Sequence, residues 1–366
     1  MSWTVARAVA RLYAALFGAV LGAVLVVFLV GDFADRLGAY LRHPAADVAV
    51  LYWNKLLVAA HQLAPAAMLL AAGAAVSTLR RRGEWTAMQA LGMSRWVVAL
   101  PLLLCTLGLS AALVAFDEWV VTGAGTRVDQ LMVERFQRWG DYRAWYFPKQ
   151  WFRVSDAIVH VRGESAEGRV SDVSLLEVDG DFHLARRLDA RAMTSLGGAR
   201  WALEDVEERR FFPDGRAPVA THARLEVALE GSTPDTFSIR TGRPELMPVR
   251  VLAEQLALRA RVGLPTERYL LALHNRFAYP LTGCAAALLA LMLALRPGRK
   301  GHLTLALVEG LGVIVGLFAL LLAGKALVMG EHLAPSVAAW APVLGLVAAS
   351  AALWWRAEHP RALALR

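Results

Sequence analysis

The sequence predicts an α-helical polytopic membrane protein of six transmembrane helices with an inserted all-β, jelly-roll-like domain. Of the 366 residues, 57% are hydrophobic, more than soluble globular domains carry. The apolar residues fall into six runs of about 20 residues, the length that a bilayer requires. These runs cover residues 12–30, 56–79, 96–116, 277–295, 303–328 and 335–355. Residues 121–266 contain no such run and hold most of the charge, which indicates a separate polar domain.

The chain therefore divides into three parts. Residues 1–120 hold the first three spans, with a small helix at about 83–92 in the loop between the second and the third. Residues 121–266 form the polar domain and a segment that leads back to the membrane. Residues 267–366 hold the last three spans and a tail. In the returning segment a helix is expected from Val251 to Arg261, and Thr266 and Glu267 begin the helix that becomes the fourth span.

The basic residues predict which side of the membrane each loop faces. Short loops rich in Lys and Arg stay in the cytoplasm, and the loop at 80–95 holds four arginines against one glutamate. Residues 1–11, 296–302 and 356–366 are basic too, whereas the loops at 31–50 and 329–334 are not. Both termini are thus expected in the cytoplasm and the polar domain outside. That domain balances 21 basic against 21 acidic residues, so the net charge of +8 marks the cytoplasmic rims rather than a nucleic-acid-binding face.

The first apolar run is expected to stay in the protein as a span. It is too long for a signal-peptide core, and no A-x-A-like cleavage site follows it. The two cysteines, Cys105 and Cys284, lie inside predicted spans, so the exported domain has no disulfide.

Short strand-like runs separated by turn residues fill the polar domain. The runs are 151–154, 157–161, 173–178, 182–184, 190–193, 200–206 and 223–229, and the turns are 163–164, 179–181, 197–198 and 213–215. Their regular spacing favours an antiparallel sandwich or jelly roll. Both a plain structural domain and one whose apolar interior holds lipid chains fit this pattern.

The sequence motifs of common enzyme classes are absent. There is no G-x-x-x-x-G-K-[ST] for nucleotide phosphates, no H-E-x-x-H and no G-x-S-x-G. The nine histidines are scattered, and none pairs with cysteines or acids at metal-ligand spacing. The sequence thus predicts no catalytic residue, no metal and no cofactor.

The loop at 80–95 contains a short amphipathic helix where a simple connection would need only a few polar residues. We expect Trp85, Met88 and Leu91 on its buried side, Glu84 as its lone acid, and Gly92 at its end. Such a helix predicts a docking surface for a cytoplasmic partner. The alternative is that Glu84 only complements the helix dipole.

Charged residues at the span ends are further candidates, because a charge in hydrocarbon costs at least ~2.5 kcal/mol. Glu309 lies about two turns into the fifth span and is expected to contact a neighbouring helix or a partner. Lys325, near the outer end of that span, snorkels or meets an anionic headgroup. Lys55, Arg276 and the pair Asp117 and Glu118 are expected to snorkel to the interface.

The chain resembles a known family, the LptF/LptG permeases of the lipopolysaccharide export machine. The resemblance extends over nearly the whole chain and is carried by the loop after the second span. That loop reads Arg82-Gly83-Glu84, then Met88-Gln89-Ala90, Gly92 and Ser94-Arg95. Supporting segments are Pro65-Ala66-Ala67-Met68-Leu69, Glu118-Trp119-Val120, and Pro335 with Ala338-Ala339-Trp340 and Pro342. Residues 33–37 and 118–120 look closer to LptG than to LptF.

The resemblance implies a transport permease, not an enzyme, in the bacterial inner membrane. Its implied partners are a dimer of cytoplasmic ABC ATPases, a paralogous LptF/LptG subunit, an LptC/LptA-like periplasmic bridge protein, lipopolysaccharide and membrane lipid, without nucleic acid. The implied ATPase-coupling residues are Glu84, Trp85, Met88, Leu91, Gly92 and Arg95. Glu84 would pair with a cation of the ATPase, while Trp85, Met88 and Leu91 would fill its groove.

At the headgroup-binding residues this chain departs from the pattern of the family. LptG-like proteins tend to carry lysines at the outer end of the first span, whereas this chain has only Arg36 and Arg42 there. The candidates for contact with lipopolysaccharide phosphates are therefore Arg36, Arg42, Arg276 and Lys325. Two alternatives to export remain at this point: the permease half of another ABC system, for lipoprotein extraction or mechanotransmission, and a membrane-anchored β-domain that binds or senses a partner without transport.

Overall fold

The structure is a computed structural model. It describes residues 3–136, 150–154, 157–161, 165–166, 169–178, 183–212, 215–233, 236–238, 243–262, 264–295 and 303–358. Its α-helices are α1 (Trp3–Asp35), α2 (Leu37–Tyr40), α3 (Ala45–Arg81), α4 (Glu84–Ala90), α5 (Trp96–Phe116), α6 (Thr122–Glu134), α7 (Val249–Val262), α8 (Glu267–Ala294), α9 (Leu303–Met329) and α10 (Pro335–Glu358). Its strands are β1 (Gln150–Val154), β2 (Ala157–Val161), β3 (Ser165–Ala166), β4 (Arg169–Val178), β5 (Leu184–Gly197), β6 (Arg200–Arg210) and β7 (Val219–Ala228).

Six of the described helices are long and apolar enough to cross a membrane, which confirms the six predicted spans. They are α1, α3, the continuous helix Trp96–Glu134, α8, α9 and α10. The third span is the one that differs most from its prediction. A π-helical turn, Asp117–Val121, joins α5 to α6, so the helix runs 18 residues beyond the predicted end at 116. π-Helical turns are frequent at functional sites.

Helices α3 and α8 pack against each other at the centre of the spanning helices. Gly283 of α8 makes their close approach possible, because a Cβ there would lie 2.9 Å from the Cα of Pro65 and 2.8 Å from the sulfur of Met68. Van der Waals packing between closely spaced helices is a main source of stability inside a membrane. Helix α1 packs on α3 and α5, and α9 packs on α3, α8 and α10.

The spans differ greatly in how far the chain itself covers them. In the most apolar 18-residue stretch of each helix, 67% of the residues of α8 and 56% of those of α3 are buried. Only 17% of the residues in the corresponding stretch of α9 are buried, and 0% of those in α1. The first and fifth spans therefore present apolar surface that only lipid or another protein can cover.

The chain forms two compact units. The first comprises Met1–Phe136, Pro244–Val249 and Glu267–Arg366, and the second comprises Gln137–Arg243 and Arg250–Thr266. The predicted domain start at 121 falls within the third spanning helix. The short segment Pro244–Val249 belongs to the spanning unit although residues of the second unit both precede and follow it in the chain.

The β-domain is a single antiparallel sheet with the strand order β1-β2-β4-β5-β6-β7, and β3 pairs with β4. Each described strand on this path pairs with its neighbours in sequence, so the connectivity is a simple meander. The runs predicted at 182–184 and 190–193 are not separate strands, because Leu184 and residues 190–193 belong to the long strand β5. The turn between β5 and β6 consists of Gly198 and Ala199, one residue later than the predicted turn at 197–198, because Gly197 ends β5 and pairs with Arg200. The turn residues predicted at 163–164, 179–181 and 213–214 lie outside the described residues.

One face of the sheet forms a continuous apolar core around Trp201, whose indole N–H donates to the hydroxyl of Ser232 at 2.7 Å. A row of residues across β4 and β6 interrupts the alternation of buried and exposed side chains. Asp172 and Asp205 have φ angles of 51° and 48°. A positive φ is uncommon for residues other than glycine, and at both positions it coincides with the interruption of the alternation.

Candidate functional site

Helix α4 is bounded at each end by a glycine in the left-handed conformation. Gly83 (φ 74°) separates it from α3, and Gly92 (φ 70°) follows its last turn. The N–H of Gly92 donates to the carbonyl of Gln89 and the N–H of Met93 to that of Met88, each at 3.0 Å. These are the paired bonds of a Schellman cap. Because other residues are strained at positive φ, the two glycines limit the helix to seven residues.

The inward side of α4 consists of Trp85 and Met88. Trp85 is 5% exposed and belongs to the apolar core of the spanning helices, and Met88 packs against the same core. The guanidinium of Arg80 lies 5.8 Å from the centroid of the Trp85 ring. The prediction that Leu91 shares this buried side is wrong, since Leu91 is 74% exposed. A helix turns about 100° per residue, which places Leu91 about 120° around the axis from Trp85.

The outward surface of α4 therefore carries Glu84 and Leu91. The Glu84 carboxylate is half-exposed, and its Oε1 lies 3.8 Å from Nη1 of the more exposed Arg82. An exposed ion pair of this length contributes little free energy, so Glu84 can accept a second cation.

Trp85 cannot fill the groove of a partner, because its ring is already held in the core of this chain. Gly92 is exposed, and Arg95 is half-buried where α5 begins.

Near the C-terminal end of the first span, the carboxylate of Asp32 contacts several neighbouring side chains. Asp32 accepts hydrogen bonds from Lys55 Nζ at 2.5 Å and from the Tyr52 hydroxyl at 2.7 Å, and Arg36 Nε lies 3.6 Å away. Arg42 lies after α2 and is exposed. Of the two cations predicted here for headgroups, Arg36 is therefore partly neutralised and Arg42 is the more accessible. Lys55 does not snorkel to the interface as predicted but is 13% exposed and bound to Asp32.

Arg276 lies at the centre of a second charged cluster, and its guanidinium is 4% exposed. Nη1 donates to Asp117 Oδ2 at 2.6 Å, and Nη2 donates to the carbonyls of Glu245 at 3.0 Å and Met247 at 2.5 Å. The prediction that Arg276 binds a lipid headgroup is therefore wrong, as is the alternative that it snorkels. A buried charge is stable only when it is paired and hydrogen-bonded, and Arg276 meets both conditions inside the chain.

The two adjacent acids of the π-helical turn have separate functions. Asp117 binds Arg276, and its Oδ1 also lies 3.8 Å from His61 Nε2. Glu118 accepts the backbone N–H of Val249, the first residue of α7, with both carboxylate oxygens at 3.0 Å. Both acids bind groups within the chain, whereas the sequence predicts that they snorkel, because Arg276 and Val249 lie more than 130 residues away from them along the chain.

Lys325 of α9 is half-exposed, and its Nζ lies 3.3 Å from Glu245 Oε1. The same carboxylate oxygen lies 3.5 Å from Arg268 Nη2. Burial raises the pKa of the Glu245 carboxyl, but its own backbone N–H, Arg268 and Lys325 outweigh that effect and bring the pKa below its ordinary value. Lys325 is thus an accessible cation that is held by an acid of the Pro244–Val249 segment.

Glu309 is half-buried and lines a small cavity with Leu69 and Gly73 of α3 and Ala290 of α8. Its place in α9 is therefore beside the neighbouring spans, where a contact with another helix was one of the two predicted outcomes. The basic loop predicted at 296–302 and the arginines at 361 and 366 lie outside the described residues.

Six spanning helices, a β-domain inserted between the third and the fourth, and a short helix after the second define a polytopic membrane protein with one inserted domain. The chain matches the family model described as lipopolysaccharide export system permease LptF/LptG over residues 7–356. It therefore belongs to the LptF/LptG family and is a transport permease of the lipopolysaccharide export system. The family covers both LptF and LptG. No curated protein sequence matches the chain.

Proposed function

We propose that the chain is one of two permease subunits of an ABC transporter that extracts lipopolysaccharide from the inner membrane and passes it to a periplasmic bridge. A separate cytoplasmic ATPase supplies the energy. The arrangement of α4 is the observation that carries this proposal, because it combines a rigid attachment to the spans with an outward acid and an outward leucine.

The charge distribution supports an orientation with α4 and both termini in the cytoplasm and the β-domain in the periplasm. Arg80, Arg81, Arg82 and Arg95 flank α4, and the loop at the other end of α3 carries three acids against two arginines. Since basic loops are retained on the cytoplasmic side, α4 would face an ATPase there.

Coupling through α4 would use two kinds of contact. Glu84 pairs with a cation of the ATPase, and Leu91 enters an apolar groove beside it. Trp85 and Met88 act from the other side of the helix, where they transmit a displacement of α4 to the core of the spans. A short helix that is packed on a core transmits force, whereas a flexible loop absorbs it.

The uncovered apolar faces of α1 and α9 support a lipid path between two permease subunits. Apolar surface of this extent inside a membrane is covered by lipid or by a partner helix. In the proposed assembly, the first and fifth spans of this chain and of a paralogous permease enclose the cavity that receives lipopolysaccharide. Residues 33–37 and 118–120 favour the LptG side for this chain.

Lys325 and Arg42 are the headgroup-binding cations that the proposal keeps. Lys325 lies near the end of α9 and is half-exposed, and Arg42 is exposed beyond the first span. A lysine ammonium binds phosphate as a compact point charge. The antiparallel sheet would receive the extracted lipid, and β1 and β7, the outermost strands of its described path, would offer an edge to a periplasmic bridge protein.

Copurification tests the proposed coupling directly. Glu84→Arg is compared with Glu254→Arg, a charge reversal at an exposed helix glutamate of α7. The chain is expressed with its paralogous permease and its ATPase, and the recovered ATPase is quantified. Glu84→Arg should reduce recovery at least about tenfold, since a buried interfacial charge pair is worth several kcal/mol when truncated. Equal recovery for both variants, with undiminished lipopolysaccharide export, would contradict the coupling role of α4.

A further inference from the structure

The segment Pro244–Val249, here called the connector, joins the chain of the second compact unit to the spanning helices. Residues of the second unit lie on both sides of it in sequence, yet its contacts are with the spanning unit. It makes hydrogen bonds or ion pairs with the third span, with α8 and with α9. Three spans therefore contact this one short segment of the spanning unit.

Hydrogen bonds and a packing contact hold the connector to the third span and to α8. Arg276 donates to the carbonyls of Glu245 and Met247, and Glu118 caps the N–H of Val249. The Leu246 side chain fills the space above Gly125, where a Cβ would collide with it. Breaking the Arg276 contacts would leave buried polar groups without partners, which is strongly unfavourable. These contacts keep the connector attached to the third span and to α8.

The contact between the connector and α9 is instead an exposed ion pair. The side chains of Lys325 and Glu245 are 50% and 41% exposed, and their charged atoms are 3.3 Å apart. Exposed ion pairs of this kind contribute at most about 1 kcal/mol and exchange readily with other ions. A second cation, Arg268 of α8, stays beside Glu245 and can hold its charge when Lys325 leaves.

We propose that the Lys325–Glu245 pair is a latch between the fifth span and the connector, and that the phosphate of a lipid headgroup opens it. A phosphate that binds Lys325 replaces Glu245 as the counter-ion, so α9 is released from the connector while Arg276 and Glu118 keep the connector in place. Glu245 is then a positioning residue, because it sets the position of α9 without itself binding the cargo. This inference rests on the proposed function, in which Lys325 meets lipopolysaccharide.

Removal of the competing carboxylate tests the exchange. The assembled complex of the chain, its paralogue and its ATPase is reconstituted in vesicles of phosphatidylethanolamine and phosphatidylglycerol with added lipopolysaccharide. Glu245→Gln should bind lipopolysaccharide about two- to fivefold more tightly than wild type, since it removes one exposed ion pair. Glu254→Gln, at another exposed ion-paired glutamate, should leave the affinity unchanged. Equal or weaker binding by Glu245→Gln would overturn the proposal.

Two further arms identify the source of the phosphate. In vesicles without lipopolysaccharide, the affinity for phosphatidylglycerol is compared between Glu245→Gln and wild type. Excess inorganic phosphate shows whether a free anion competes. A difference that persists without lipopolysaccharide, or that free phosphate abolishes, would overturn the assignment of the latch to the cargo.

A reversible crosslink tests the movement itself. The variant Glu245→Cys/Lys325→Cys, with Cys105 and Cys284 replaced by alanine, is bridged by a short thiol-reactive crosslinker that a reductant removes. The bridged complex should release lipopolysaccharide at least about tenfold more slowly than the same variant after reduction, a comparison in which Lys325 is absent from both states. Undiminished release by the bridged complex would overturn the latch. If the wild-type complex itself neither binds nor releases lipopolysaccharide, the proposed function fails, and the latch fails with it.

Discussion

Arg276 in the fourth span and Asp117 in the third form a buried ion pair, with Nη1 and Oδ2 2.6 Å apart. Their side chains are 4% and 11% exposed. Removing two charges from water is costly, and close geometry with additional hydrogen bonds offsets that cost. The additional bonds here come from the carbonyls of Glu245 and Met247, so the pair stabilises both the contact between two spans and the attached connector.

Loss of one partner of this pair should therefore be far more harmful than loss of both. Asp117→Ala is expected to lower the free energy of unfolding by about 3–5 kcal/mol, because it leaves the guanidinium buried without a counter-charge. The double variant Asp117→Leu/Arg276→Met should cost less than the sum of the single changes. The measurement is the thermal stability of the detergent-purified chain, with Arg250→Ala, which breaks an exposed pair, as the control. Additive losses would show that the two side chains do not stabilise each other.

The two sides of α4 should respond differently to alanine. Trp85→Ala removes a ring buried in the core of the spans, and losses of about 3–5 kcal/mol follow such changes. Leu91→Ala touches only an exposed side chain, so the stability of the free chain should be unchanged while binding of the ATPase weakens. The thermal stability of the chain and the copurified ATPase are measured for both variants. A stability loss for Leu91→Ala as large as that for Trp85→Ala would contradict the assigned orientation of the helix.

Gly283 should be sensitive to the addition of a single methyl group. A Cβ at this position would lie 2.9 Å from the backbone Cα of Pro65, so Gly283→Ala must separate α3 from α8. We expect a loss of about 1–3 kcal/mol, as for other overpacked cores. Gly312→Ala in α9 is the matched control, because no atom lies within 4 Å of the added Cβ. The yield and thermal stability of the two variants are compared, and equal values would contradict the close approach of the two helices.

Glu208 should make the stability of the β-domain depend on pH. Hydrogen bonds from Arg210, His222 and Arg186 outweigh the effect of burial and lower the pKa of Glu208 to about 2. An unfolded glutamate titrates near 4.3, so the contribution of the carboxylate is complete above that pH. It is lost as the pH falls from about 4.3 towards 2. Glu208→Gln should cost about 2 kcal/mol at pH 7, with a difference from wild type that shrinks over this interval.

Hydrogen exchange of strands β5 to β7 in the full-length chain, corrected for the intrinsic rates at each pH, measures this effect. Glu204→Gln removes a more exposed carboxylate of the same strand and serves as the control. A constant difference between Glu208→Gln and wild type from pH 7 to pH 2 would contradict the ionised state of Glu208.

The sequence was sufficient for the spans and for the presence of α4, because both depend on local patterns. An apolar run of about 20 residues is recognisable anywhere in a chain, and Gly92 predicts the end of the short amphipathic segment. The extension of the third span to Glu134 was missed because residues 122–134 are not continuously apolar. Leu91 was misplaced because equal three-residue steps drift around a helix by about 60° each.

The charged cluster at the span ends could not be predicted, because its members are far apart in the chain. Asp117 and Arg276 are separated by 159 residues, and nothing next to either residue identifies the other. The sequence showed only charges near the ends of apolar runs, which snorkelling explains equally well. The π-helical turn that begins at Asp117 has no local signature in the sequence either.

The proposed activity is that of a permease through which an ATPase drives lipopolysaccharide out of the membrane. It is measured as the transfer of lipopolysaccharide from vesicles containing the assembled complex to a soluble periplasmic bridge protein, with and without ATP. We expect transfer that requires ATP and the ATPase, is lost in Glu84→Arg and is retained in Glu254→Arg. Transfer by the ATPase and the paralogous permease without this chain, or ATP hydrolysis by the complete complex with no transfer, would contradict it.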